Sequence, residues 1–155
     1  MFVNAKNLHL RIICVYFASE NKKKTMEGIE KIKNAGLKLT PQRIAVYNVM
    51  EKLRHAQLET IVFHLKSQDT TLTLSTVYRI LESFCNAGVL SQVCHPETGE
   101  SYYDITVEEH HHIFKGENIL DFDDKELTQI VKDYVKTKRP DLHDIEKIQV
   151  QITIN

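Results

Sequence analysis

The sequence predicts an α+β chain: an N-terminal helical unit closed by a hairpin, then a smaller α/β unit. Three observations lead there. Apolar residues recur with a helical period through much of 26–85; two short strand-like runs then flank Pro96-Glu97-Thr98-Gly99; and the remaining residues switch to a β-β-α-β pattern.

Residues 1–25 show no period and are strongly basic, so they are expected to be a flexible leader without assigned function. Met26, Ile29 and Ile32 mark a first helix that Gly36 ends. Thr40-Pro41 is a helix start, a hydroxyl cap followed by proline where no amide is needed. Val46, Val49, Met50 and Leu53 give that helix its apolar face, and a loop containing Arg54-His55 is expected after it. Leu58, Ile61, Val62 and Leu65 mark a further helix. Val77, Ile80, Leu81, Phe84 and Cys85 mark the next, with Thr73 or Ser75 as its cap and Gly88 beyond its end.

Residues 89–94 and 101–105 read as the hairpin strands, and helix-turn-helix plus hairpin is the winged-helix pattern. The third helix of that pattern is the expected reader of DNA. Opposite its apolar stripe lie Ser75, Arg79 and Glu82, flanked by Thr76 and Tyr78, groups suited to phosphates and base edges in a major groove. An ordinary solvated face has the same period.

Beyond the hairpin, 111–114 and 118–122 read as strands, and Leu127, Ile130, Val131, Tyr134 and Val135 as a helix. Ile148, Val150, Ile152 and Ile154 alternate with polar residues as a half-buried strand. A unit this small buries little surface alone, so a symmetric dimer is expected.

Asp104, Glu108, Glu109, His110, His111, His112 and Asp121 crowd potential ligands into one stretch. On a strand, His110 and His112 share a face and His111 takes the other. Imidazoles with carboxylates suit a borderline divalent metal, and a solvated acidic loop is the plain alternative. His111 with Glu109 reads as a solvated histidine rather than an additional weak site. Cys94-His95-Pro96 reads as part of the wing rather than a haem site.

Composition bounds the classes. The 155 residues suffice for one ordinary domain or two small ones. The longest apolar run, 12–18, is far too short to cross a bilayer, and no cleavage pattern supports a signal peptide. Three cysteines without a C-x-x-C pair fit reduced cytoplasm. Residues 26–103 are charge-neutral, whereas 104–155 carry twelve acidic and seven basic residues, which favours cation capture.

Gly36-Leu37-Lys38-Leu39-Thr40-Pro41-Gln42-Arg43, Ser75-Thr76-Val77-Tyr78-Arg79, Tyr103-Asp104, His110-His111-His112 and Leu120-Asp121-Phe122 follow in order. Together they resemble the ferric uptake regulator (Fur) family from residue 26 to the C-terminus. The resemblance implies a dimeric, metal-dependent transcription regulator, a repressor rather than an enzyme, acting on a palindromic double-stranded DNA operator. It implies a winged-helix domain over 26–103, a hinge over 104–110 and an α/β dimerisation domain over 111–155. It also implies one regulatory Fe2+, Zn2+ or Mn2+ per subunit, held by His55, Asp104, His110, His112 and Asp121 and joining the two domains. Lys38 looks like the family's minor-groove or backbone contact.

The chain departs from the family where two C-x-x-C pairs would hold a structural zinc, so that zinc is expected to be absent. Aspartate at both 104 and 121 is similar to the peroxide-sensing branch. Two rivals come from other classes. A winged helix that binds protein would not respond to loss of DNA-contact residues. A His/Asp metallohydrolase needs an open coordination position and a poised base, for which Glu108 or Glu109 could serve.

Overall fold

The computed structural model describes residues 25–67, 72–142 and 144–154; the leader lies outside them, apart from its last residue. Helix α1 covers 25–34, α2 Pro41–Leu53, α3 Leu58–Lys66 and α4 Leu74–Asn86. Thr40 sits in extended conformation with Oγ1 accepting the Arg43 amide, and Pro41 opens α2 behind it. Thr73 caps α4 in the same way through the Thr76 amide. The end of α4 is closed by Gly88 at φ 69°, which lets the Val89 amide reach back to the Phe84 carbonyl at 2.8 Å.

The four helices share one core. Ile32, Val46, Met50, Ile61, Leu65, Val77, Leu81 and Phe84 are all buried in it, and they are the periodic residues that defined the helices. Gly28 matters to this packing, because a Cβ there would lie 2.5 Å from the Tyr47 ring. Burial, with Glu51 and Glu27 nearby, pushes the Tyr47 hydroxyl up to about 12.

Strands β2 (Ser91–Cys94) and β3 (Ser101–Asp104) form the hairpin. The loop expected at Arg54-His55 is instead partly a strand. His55–Ala56 is β1, a third, short strand that pairs antiparallel with β3 and sets His55 opposite Asp104. Two residues are too few to carry a period, so nothing in the local pattern announced it. His95 is buried at the hairpin tip, as a wing residue rather than a free ligand. Its Nδ1 accepts the Glu97 and Thr98 amides, and its Nε2 faces the Gly116 carbonyl at 3.3 Å.

The second sheet holds β4 (His111–Lys115), β5 (Asn118–Phe122) and β6 (Gln151–Thr153) in the order β5-β4-β6, with β6 parallel to β4. Helix α5 (Lys125–Lys138) intervenes, capped by Asp124. Strand β6 is shorter than the alternation over 148–154 suggested, because two of its expected ladder amides are used elsewhere. The Ile148 amide donates to Glu109 Oε1 and the Val150 amide to His111 Nδ1.

His111 is therefore not a solvated histidine. It is fully buried, with Nδ1 accepting from Val150 and Nε2 2.9 Å from Thr128 Oγ1 on α5. One imidazole thus ties β4 to α5 and to the approach to β6. His111→Ala should lower stability by about 1–3 kcal/mol through the orphaned Val150 amide and lost contacts. Thermal unfolding checks this, and a midpoint equal to wild type refutes it.

Candidate metal centre

The site grows out of two cross-strand pairs. In the first sheet, His55 on β1 faces Asp104 on β3; in the second, His112 on β4 faces Asp121 on β5. His110 precedes β4 by one residue and shares the face of His112, as strand alternation predicts, while His111 turns to the opposite side. One donor atom from each of the five residues lies within 4.8 Å of the others. Donors about 2.0–2.2 Å from an ion stand roughly 4.4 Å apart at most, so the cluster needs to contract by only a few tenths of an ångström to form a coordination shell.

The three histidines bring their Nε2 atoms together. His55 Nε2 lies 3.0 Å from Asp121 Oδ1 and 3.4 Å from Asp104 Oδ1; His110 Nε2 lies 3.2 Å from Asp104 Oδ2, and His112 Nε2 3.4 Å from the same oxygen. His110 Nε2 and His112 Nε2 are 2.9 Å apart. His110 Nδ1 donates to the Glu108 carbonyl at 2.7 Å, which fixes the tautomer and leaves the Nε2 lone pair facing the cluster. His55 Nε2 is buried and has no hydrogen bond of good geometry despite two carboxylates at ion-pair distance. Rings packed nitrogen to nitrogen, with a buried atom left unsatisfied, suit a shared cation better than a protein-only network.

Asp104 is fully buried. Burial pushes its carboxyl up, but the His112 and His55 imidazoles beside it, each at 3.4 Å, and the hydrogen bond from the Thr106 amide outweigh that and hold it well below the usual carboxylate range. It therefore stays anionic through mildly acidic pH. Two carboxylates and three neutral imidazoles balance the charge of one divalent ion in a site buried on all sides but that of Asp121, and the nitrogen/oxygen set fits Fe2+, Zn2+ or Mn2+.

Glu109, one of the two bases open to the hydrolase reading, is engaged elsewhere. It accepts the Ile148 amide at 3.0 Å and pairs with Lys132 at 3.3 Å, and these contacts keep its carboxyl low. The expected DNA-contact residues sit apart from the cluster. Ser75, Tyr78 and Arg79 are exposed on α4 and Thr76 is half-buried, while Lys38 is exposed before α2. Thr73 Oγ1 lies 3.1 Å from the Ser75 hydroxyl and 2.8 Å from that of Thr76, gathering three hydroxyls at the start of α4.

A sequence profile of the ferric uptake regulator family matches residues 34–152, most of the chain. The chain belongs to that family. It is a metal-responsive DNA-binding regulator, in a family of transcription regulators rather than enzymes. A ferric uptake regulation protein homolog from Archaeoglobus fulgidus is 35% identical over 102 residues, which are 64% of this chain and 78% of the relative. The fold resembles the ferric uptake regulator of Vibrio cholerae, with a TM-score of 0.67 and 23% identity over 81% of this chain and 97% of that one. It also resembles that of Pseudomonas aeruginosa, solved with manganese, with a TM-score of 0.66 and 20% identity over 83% and 96%.

Two groups beside the cluster escaped the sequence reading. Thr106 donates its amide to Asp104 Oδ1 at 2.8 Å, and Arg54 approaches both Thr106 and Asp121. An aspartate that accepts the amide two residues on forms an Asx-turn, and the signal for it was Asp104 itself rather than Thr106. Arg54 carried no such signal, because its contacts span 52 and 67 residues.

Proposed function

We propose that this Fur-family chain is a transcriptional repressor in which one Fe2+, Zn2+ or Mn2+ per subunit, held by His55, Asp104, His110, His112 and Asp121, sets the DNA-binding arrangement. The observation that carries this is the convergence of donors from both sheets on one point. His55 and Asp104 belong to the winged-helix sheet, whereas His112 and Asp121 belong to the second sheet and His110 adjoins it. A bound ion supplies a charge that draws these groups together. The residues do the rest: they fix the angle between a reader domain over 26–103 and a dimerisation domain over 111–155, across a hinge over 104–110. A metal-titrated DNA-shift assay tests the proposal; binding that ignores both added metal and chelator refutes it.

The second unit supports a homodimer. Among the described residues, Phe114 is its one buried apolar side chain, while Ile130 and Tyr134 on α5 are 58% and 63% exposed. A unit with so little core of its own is stabilised by a partner covering that face. With only Cys14, Cys85 and Cys94 in the sequence and no C-x-x-C pair, we take this dimer to hold without a structural zinc bound by four cysteines. Cysteine alkylation should leave it dimeric by sedimentation, and a monomer after alkylation sinks the idea.

In such a dimer two α4 helices meet a palindromic operator in major grooves one helical turn, or a multiple, apart. Arg79→Ala should cost about 1–3 kcal/mol of sequence discrimination if Arg79 makes a bidentate base contact. Ser75, Thr76 and Tyr78 add hydroxyl contacts beside it. Lys38→Ala should instead weaken binding evenly across sequences and reduce its salt dependence. Competition shifts with operator and random DNA separate the two patterns; an Arg79→Ala protein that selects its operator like wild type refutes the placement.

The two aspartates also favour a narrower reading, peroxide sensing. Loss of DNA binding on peroxide treatment with Fe2+ but not with Mn2+ selects it, and equal behaviour with both ions removes it.

A further inference from the structure

Among the described residues, Arg54 is the one non-glycine residue with a positive φ, at φ 65° and ψ −65°, the rare γ-turn conformation. A residue with a Cβ persists there only where its surroundings over-determine it, and such residues gather at functional sites. Here the surroundings do so. The Arg54 amide donates to the Met50 carbonyl at 2.8 Å, and its carbonyl accepts the Ile105 amide at 3.2 Å. That turn carries the chain from α2 into β1 and sends the guanidinium toward the second sheet.

There Arg54 Nη2 lies 2.6 Å from Thr106 Oγ1 and 3.5 Å from Asp121 Oδ2, and Thr106 Oγ1 lies 3.2 Å from the same Oδ2. The direction of this chain is fixed by chemistry. Arginine only donates and an ionised carboxylate only accepts, so the Thr106 hydroxyl accepts from Arg54 and donates to Asp121. The result divides the carboxylate. Oδ2 is held by Arg54 and Thr106, while Oδ1 faces His55 at 3.0 Å and His110 at 3.4 Å. The Thr106 amide meanwhile bonds Asp104 Oδ1, so one residue steadies both acidic groups.

We infer that Arg54, relayed by Thr106, is a positioning residue that makes Asp121 a one-oxygen ligand by holding Oδ2 out of the site. The inference rests on the metal-centre reading above. Arg54 is half exposed, at 53% for its side chain, so its ion pair adds little stability. What it supplies is orientation. Arg54 adjoins β1, Thr106 follows β3, and Asp121 lies on β5, so the link also crosses between the two units without metal. Without Arg54 the carboxylate is free to turn both oxygens inward and raise the coordination number.

Co2+ is the probe, because its d–d absorption weakens as coordination rises. Arg54→Gly removes the side chain and relaxes the backbone at once, so any loss it shows cannot come from strain. Arg54→Gly and Thr106→Val should each lower Co2+ affinity by about 10–100-fold, the usual cost of losing an outer-shell partner, and should weaken the d–d bands. Thr106→Val leaves residue 54 unchanged and keeps the inference testable if the glycine variant folds poorly. A wild-type protein that takes up no Co2+, or a His112→Ala protein that takes it up normally, removes the metal-centre reading and this inference together. Normal wild-type uptake, loss in His112→Ala, and wild-type affinity and spectrum in a folded Arg54→Gly or Thr106→Val protein remove this inference alone.

Discussion

His112→Ala protein is expected to lose metal affinity by more than the roughly 100-fold that marks the upper range for outer-shell losses, because it deletes a ligand itself. His112 is fully buried, its Nε2 faces both His110 and Asp104, and it pairs across the sheet with Asp121. Nothing else on its face of β4 can take its place. Competition titration against a chelator measures the effect, and near-wild-type affinity would mean that the cluster is not the site. Acid should act in the same direction. Asp104 is held ionised well below the usual carboxylate range, so it is not the first group to be lost as pH falls. Protons compete instead for the imidazole nitrogens that the metal needs, and each proton taken up opposes the metal. Affinity should therefore drop as pH falls, by less in His112→Ala, which has one competing ring fewer.

His55→Ala should separate two properties that go together in the wild type. His110, His112 and Asp121 remain on or beside the second sheet, and Asp104 still stands beside them, so the protein should stay a folded dimer that binds metal more weakly. Its DNA affinity should no longer depend on metal in the same way, because His55 is the ligand on β1 directly after α2. A site can shift an equilibrium only by its differential affinity for the two states, and a swing from 1:99 to 99:1 takes about 10⁴-fold. Losing one of the two ligands that the winged-helix sheet supplies removes a large part of that difference, while Asp104 keeps the rest. Metal-titrated DNA shifts, run beside direct metal titration, check the result. A His55→Ala protein whose DNA binding responds to saturating metal as wild type does refutes the part of His55 in the bridge.

Much of this architecture is legible in the residues, for reasons that can be named. Helices α2, α3 and α4 each carry an apolar stripe long enough to fix a period, and Thr40 and Thr73 mark two of their starts by a hydroxyl that accepts an amide. The shared face of His110 and His112 follows from strand alternation alone. What escaped lies at long range. Strand β1 is too short to have a pattern, and its pairing with β3 decides where His55 points. The solvated reading of His111 failed because burial there is imposed by α5 and by residue 150, which no local window contains. Strand β6 came out shorter than its alternation because side chains, not backbone, accept two of its amides.

The cross-strand pairing of the ligands has a consequence in time. His55 and Asp104 are neighbours within one sheet, and His112 and Asp121 within the other, so each pair keeps its spacing whatever angle the two sheets adopt. Directly opposed residues stand about 4.5–5.5 Å apart at Cβ, set by the ladder rather than by the ion. An opened protein therefore retains two part-built clusters: three ligands with the second sheet, once His110 is included, and two with the first. Capture should then proceed in two phases. A fast, concentration-dependent phase belongs to the three-ligand cluster, and a slower, concentration-independent phase follows as His55 and Asp104 swing in. Release should run in reverse, and the short residence on the three-ligand cluster would let the regulator sample falling metal without waiting for the whole site to let go.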